Sequence, residues 1–313
     1  MRKVKKILTV IEEKQEYLEG FPVSANLLDI RHSPVHVHPH ELELIFCIKG
    51  EITVQCNHEK IVLKENEMFT VEYEDMHCIY SEDANITLLM HLDHTMLGGL
   101  RPMYISCEDI SCRPFQKEML TQVKCHVLAL AYRFLKQELS AETAQKASAQ
   151  LLRILEDNFN WLNLFETYQT KNEEIDRRLK KVFEYCNMHY SEKISASSLA
   201  GELNINENYF SQFFKRSTYG GFNKMLGYIR CFHAQRMLLE SEMTITEIAS
   251  ACGFSDEKYF YKYFNYWWRT TPSEFRKSYK EYVSHTIEIS DVSSKVKSSF
   301  ESHMAEFFAR TLT

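Results

Sequence analysis

Ile248-Ala249-Ser250-Ala251-Cys252-Gly253-Phe254-Ser255, followed by Phe260 and Phe264, is the stretch that decides how this chain reads. It spells a short helix, a tight turn and a second helix. Ala249 is small enough for two helices to approach closely. Gly253 takes a positive φ at no steric cost. Phe254 plugs the corner, and Ser255 is a good N-cap for the helix that follows. These are the needs of a helix-turn-helix.

Some fifty residues upstream the pattern occurs again, as Leu199-Ala200-x-x-Leu203-Asn204-Ile205-Asn206, then Phe210 and Phe214. Asn204 stands where Gly253 does, and asparagine is the next-best residue for a left-handed turn. The later copy has one extra residue after the turn. A single copy suits a plain helical bundle with a polar face. Two copies in the same order, each with turn, cap and polar outer face, argue for two reading heads. Between them, Phe222 to Leu239 is expected to form one stiff helix anchored by Met225, Leu226, Ile229 and Leu238.

The second helix of such a unit lies in the major groove of double-stranded DNA. With Phe210, Phe213 and Phe214 inward, Asn208, Ser211, Gln212 and Lys215 point outward. With Phe260 and Phe264 inward, Glu257, Lys258, Tyr261 and Lys262 do so. Asn and Gln pair bidentately with adenine, Lys reads guanine or grips phosphate, and Glu accepts from cytosine. Arg216 and Arg276 are expected on phosphates, which position without specifying. Tyr266, Trp267 and Trp268 are expected in the core or at a domain contact.

Ile245-Thr246-Glu247-Ile248-Ala249, Cys252-Gly253-Phe254-Ser255-Asp256, Tyr259-Phe260, Phe264 and Thr271-Pro272-Ser273-Glu274-Phe275-Arg276 carry a specific resemblance. The stretch from about Lys180 to Arg276 resembles the DNA-binding domain of AraC/XylS-type transcriptional regulators, and Arg230, Ala234 and Leu238-Leu239 match the connecting helix. It covers about a third of the chain. The family has Gly after each recognition helix, where this chain has Tyr219 and Arg269. The resemblance implies a bacterial, cytoplasmic regulator, an activator by family habit, with RNA polymerase as a partner, homodimerisation and control by a small-molecule effector such as a sugar or other metabolite.

Residues 21–95 are read as strands: Leu44 to Ile48, Ile52 to Gln55, Lys60 to Leu63, Met68 to Val71 and Ile86 to His91 are short apolar runs between turn signals. His36-x-His38-x4-Glu43-x6-Gly50 resembles the first motif of cupins, and His77 falls where the second motif places its histidine. The resemblance implies that His36, His38, Glu43 and His77 are the metal set of a cupin, suited to Fe, Mn, Ni or Zn. His36 and His38 alternate on one strand and so share a side, with His40 as a competing register. Asn66, Glu72 and Glu74 replace residues the second motif usually has. The same barrel can instead hold an organic effector, lined by His36, His38, Glu43, Tyr73 and His77, with no cofactor required. His91 and His94 are read as surface or satisfied histidines.

Met119, Val123, Val127, Leu130 and Phe134 recur at helical spacing, as do Ala147, Leu151, Leu155, Phe159 and Leu162. Those two helices suit packing on the barrel or dimerisation. Val292, Val296, Phe300, Met304 and Phe308 mark one more amphipathic helix, with Ser290-Asp291 before it as a plausible cap. The expected organisation is α+β: a cupin-like β-barrel over 1–115, a helical segment over 116–165, a linker over 166–174, an all-α DNA-binding domain with two helix-turn-helix motifs over 175–280, and a helical extension over 281–313.

Composition agrees with this organisation. The 313 residues are 44% hydrophobic and 26% charged, ordinary for a globular chain of two domains. The net charge is −6, yet residues 175–280 carry 16 Lys and Arg against 11 Asp and Glu, while the rest carries 21 against 32. The basic surplus sits where DNA would be gripped. Nine cysteines, an odd number with no Cys-x-x-Cys pair, read as reduced thiols in a cytoplasmic protein. No apolar run is long enough for a membrane span, and the short N-terminal apolar stretch reads as an unprocessed start. The reading is therefore an effector-controlled DNA-binding regulator and not an enzyme. The alternatives are a metal-dependent cupin enzyme or metal sensor fused to a DNA-binding module, and an effector-free dimeric regulator.

Overall fold

The computed structural model describes residues 10–56, 59–72, 75–97, 103–105, 117–163, 173–217, 221–279 and 287–311. In chain order the first elements are β1 (Ile11–Glu12), β2 (Val23–His32), β3 (His36–Val37), β4 (Glu41–Lys49), β5 (Glu51–Cys56), β6 (Glu59–Lys64), β7 (Met68–Val71), β8 (His77–Tyr80), β9 (Ile86–Asp93) and β10 (Met103–Ile105). Then follow α1 (Lys117–Leu135), α2 (Ala141–Phe159), β11 (Asn160–Asn163), α3 (Glu173–Met188), α4 (Ala196–Glu202), α5 (Glu207–Ser217), α6 (Phe222–Glu240), α7 (Ile245–Ala251), α8 (Glu257–Trp268), α9 (Pro272–Ser278), β12 (Glu288–Asp291) and α10 (Ser293–Thr311). The chain divides into two units, one of residues 10–162 with 284–313 and one built on 163–283.

In the first unit the strands run β1-β3-β8-β2-β9-β4-β7, with β5 joining β8 to β6. Alternation along the strands sends one set of side chains between the layers: Ile30, Ile45, Cys47, Ile52, Val54, Ile61, Leu63, Phe69, Val71 and Ile79 form a buried apolar cluster. The opposite face of β2, β9 and β4 is equally apolar. Val23, Ala25, Leu27, Leu42, Leu44, Phe46, Leu88, Met90 and Leu92 pack with Val123, Val127, Leu128, Leu151 and Leu155 of α1 and α2. The two helices expected from their periodicity thus lie on the barrel. At the turn before β7, Asn66 adopts φ 71°, the left-handed conformation for which asparagine is well suited.

The C-terminal extension belongs to this first unit. β12 pairs antiparallel with β2, Ile289 opposite Ile30 and Asp291 opposite Leu28. Asp291 Oδ1 accepts from the Ser293 amide at 2.8 Å, capping α10. Phe300 and Met304 then enter the cluster formed by α1, α2 and the sheet, and Lys136 pairs with Glu301.

Among its described residues, the regular elements of the second unit are helices, Asn163 at the end of β11 apart. Its two corners are built alike. The Asn204 amide donates to Gly201 O and the Ile205 amide to Ala200 O, at 3.1 and 2.9 Å. Gly253 donates to Ser250 O and Phe254 to Ala249 O, at 3.0 and 2.9 Å. Both are the paired bonds of a Schellman motif, with Asn204 at φ 53° and Gly253 at φ 79°. A Cβ on Gly253 would stand 2.5 Å from Tyr190 O, so close backbone approach reinforces the need for glycine. Arg269 takes the left-handed conformation, φ 53°, at the end of α8, so the turn survives without the family's glycine. Tyr219 lies outside the described residues.

Helix starts are capped by side chains. Ser195, Thr244 and Thr271 form capping boxes with Ser198, Glu247 and Glu274. For α8 the cap is Asp256, which accepts from the Lys258 amide, and not Ser255, because the extra residue after this turn shifts the start by one. The core is aromatic: Phe210, Phe214, Phe260, Phe264 and Phe275 are fully buried. Trp268 stacks on Tyr228 with ring centroids 5.4 Å apart, and Trp267 meets the same ring edge-on. Residues 166–172 of the expected linker lie outside the described residues, and Glu173 already begins α3.

Candidate metal centre and nucleic-acid interface

Strand pairing brings five distant residues to one end of the barrel. His36 on β3 lies opposite His77 on β8. Glu43 on β4 lies opposite His91 on β9. His38 follows β3 directly. The donor atoms of His36, His38, Glu43 and His77 all lie within 4.8 Å of one another. Glu43 Oε2 is 2.8 Å from His77 Nε2 and 3.6 Å from His38 Nε2. Glu43 Oε1 is 3.4 Å from His91 Nε2. These five residues are 0–4% exposed.

The ring orientations are set from behind. His36 Nδ1 lies 2.9 Å from Pro34 O, His77 Nδ1 2.9 Å from Asp75 O, and His38 Nδ1 3.3 Å from Glu13 O. A carbonyl can only accept, so each Nδ1 carries a proton and each ring turns its Nε2 inward, the orientation of metal-binding histidines. His91 Nδ1 lies 3.4 Å from Ser24 Oγ. Glu13 contributes a carboxylate at the rim, 3.5 Å from His36 Nε2.

The donor set fits a metal ion. Both Glu43 oxygens and the Nε2 atoms of His38, His77 and His91 are buried without a well-formed hydrogen bond. Each such atom costs about 1–3 kcal/mol when left so. Their concentration at one point marks a place where a cation would satisfy them together, and imidazole with carboxylate suits a first-row transition metal. Burial, helped by the neighbouring His77, pushes the His36 pKa well below the ordinary histidine value. Burial opposes charge on Glu43 too, but His77, His38 and His91 outweigh it and hold the carboxyl well below its usual range. His38 is shifted upward, since Glu43 overcomes the cost of its burial. An anionic Glu43 and a neutral His36 are the forms that bind metal.

Tyr73, expected in the pocket, lies outside the described residues. His40 is exposed and apart from the cluster. His91 and His94 are both buried and not at the surface. Helices cover the outer face of β9, so the Leu88-Leu89-Met90-His91-Leu92 run is apolar on both sides and hides which side His91 takes.

In the other unit Asn208, Ser211, Gln212 and Lys215 are exposed along α5, and Lys258 and Lys262 along α8. Arg216 lies on α5, and its side chain is outside the described residues. Glu257 and Tyr261 are half-buried and partnered: Thr246 donates to Glu257, and the Tyr261 hydroxyl is 3.2 Å from Ser273 Oγ. Arg276 departs from the expected phosphate contact. Its Nε donates to Leu238 O at 2.8 Å and its second amino group to Met243 O at 2.7 Å. The carbonyls left open at and beyond the end of α6 have drawn the guanidinium inward.

Comparison with known proteins follows this division. Residues 199–278 match the helix-turn-helix domain family and residues 31–91 the cupin domain family. An uncharacterized HTH-type transcriptional regulator, YijO of Escherichia coli, is 33% identical over 31% of this chain and 34% of its own length. Regulatory protein PocR of Salmonella typhimurium is 31% identical over 34% of this chain and 35% of its own length. The chain thus spans about a third of the length of these relatives. The C-terminal domain of AraT, a response regulator from Geobacillus stearothermophilus, is similar at 26% identity and a TM-score of 0.31, covering 35% of this chain and 88% of that one. The chain therefore joins a domain of the cupin family to a helix-turn-helix domain of the AraC type.

Proposed function

We propose that this protein is a sequence-specific DNA-binding transcription regulator whose state is set by a transition-metal ion in the barrel. The observation that carries the ligand is the set of buried, inward-facing donors on His36, His38, Glu43 and His77. The barrel interior beyond them is filled by Ile30, Ile45, Val54, Phe69 and Val71, which favours an ion over an organic effector. A bound ion supplies positive charge to a buried carboxylate and cross-links three strands. The protein's own groups hold it in place, with Pro34, Asp75 and Glu13 fixing the rings.

The DNA-reading surface is assigned to Asn208, Ser211, Gln212 and Lys215 on α5 and to Lys258 and Lys262 on α8, with Glu257 and Tyr261 held by neighbours at its edge. Coupling runs through the chain. The reading unit is flanked in sequence by two parts of the barrel unit, and β12 is paired to β2, the strand whose Ser24 holds His91. A ligand shifts DNA binding only by its differential affinity for the two states, so ordering this end of the barrel is where that difference arises.

The test is elemental mass spectrometry of freshly purified, untagged protein beside a His36→Ala, His38→Ala double variant. Near one equivalent of a transition metal, lost in the variant, supports the assignment. Protein that neither retains nor takes up such a metal contradicts it.

A further inference from the structure

Glu43 divides its two oxygens between two groups of histidines. Oε2 faces His38 and His77, and Oε1 faces His91. Nothing in the four-residue motif requires the second contact. Strand register supplies it, because His91 is the cross-strand partner of Glu43 on one side and of Ser24 on the other. The His91 ring lies 4.7 Å from that of His38, centroid to centroid. Its Nδ1 is placed beside Ser24 Oγ. Its Nε2 is buried and without a hydrogen-bond partner, 3.4 Å from Glu43 Oε1 at the edge of the four-residue cluster.

We infer that His91 is a fifth protein donor, so that the barrel holds its metal with four imidazoles and one carboxylate. This rests on the metal reading above and makes it more specific. A catalytic metal needs an open position for water or substrate. Five protein donors leave at most one position on a six-coordinate ion and none on a smaller set. Such a donor set leaves little room for substrate beside the ion and favours nitrogen-preferring ions of the first transition row over Mg²⁺ or Ca²⁺.

The experiment uses the full-length protein with Co(II) as the probe. X-ray absorption of the loaded wild type counts imidazoles directly, and competition with a chelator gives affinity for wild type, His91→Gln and Ser24→Ala. Four imidazoles in the wild type, three in His91→Gln and an affinity at least about tenfold lower, with a smaller loss for Ser24→Ala, are expected. If His91→Gln does not fold, the wild-type count decides. Three imidazoles in the wild type, or unchanged affinity in His91→Gln, overturns the fifth ligand while leaving the metal site standing. Failure of the wild type to bind Co(II) overturns both.

Discussion

The ring of Tyr263 lies where any side chain on Gly227 would have to be. A Cβ built on Gly227 would stand 2.6 Å from Tyr263 Cγ. Gly227 is in the middle of α6, and Tyr263 is on α8, so the second recognition helix is seated on the connecting helix by this contact. Glycine is otherwise a poor choice in a helix interior, costing about 0.5–1 kcal/mol relative to Ala.

Gly227→Ala should therefore destabilise the protein despite its better helix propensity. Overpacking of this kind costs about 1–3 kcal/mol. Tyr263→Ala should recover part of that loss when combined with it, since the clash is then removed. Urea denaturation of the single and double variants measures this. Additive losses would show that the contact is not the constraint.

Residues of the two recognition helices should separate by role. Gln212→Ala should lose about 1–3 kcal/mol of binding at one base pair and relax preference there. Lys262→Ala, if it grips phosphate, should weaken all sequences alike and reduce the salt slope by about one unit. Operators selected from a random duplex pool and titrated at several salt concentrations distinguish these outcomes. Unchanged affinity and preference in both variants would remove α5 and α8 from the interface.

His233 gives the DNA-reading unit an acid-sensitive element. Its ring stacks on Tyr190 at 3.8 Å and its Nε2 meets Asn187 Oδ1 at 2.9 Å. Burial lowers its pKa from 6.5 to about 4. Between these values the unfolded chain binds a proton that the folded one does not, so stability falls as pH drops through 6.5 toward 4. The full effect is at most about 3 kcal/mol, reduced by partial exposure of the ring. Between pH 7 and pH 5 the wild type should lose about 1 kcal/mol more than His233→Gln. Equal losses in both proteins would place the acid sensitivity elsewhere.

The helix-turn-helix pair was legible in the sequence because its signals are local. Ala200 and Ala249, the residues of the two turns and the buried phenylalanines lie within single supersecondary units, and the repeat doubles each signal. His36, His38, Glu43 and His77 were legible only through their resemblance to the cupin motifs, and their convergence depends on β3–β8 pairing. His91 was hidden because both faces of β9 are covered. The docking of β12 on β2 was hidden as well: Glu288 to Asp291 are all exposed side chains with no alternation, and their partners lie more than 250 residues away. Arg276 looked free because nothing local indicates that α6 ends with open carbonyls nearby.

On the proposed function, metal in the barrel and DNA on the recognition helices are linked. The link is tested by the affinity for a selected operator, measured with chelated protein and again with one equivalent of the metal found in the purified protein. A change of about fivefold or more is expected in the wild type, absent from the His36→Ala, His38→Ala variant. The same affinity with and without metal in the wild type would contradict it.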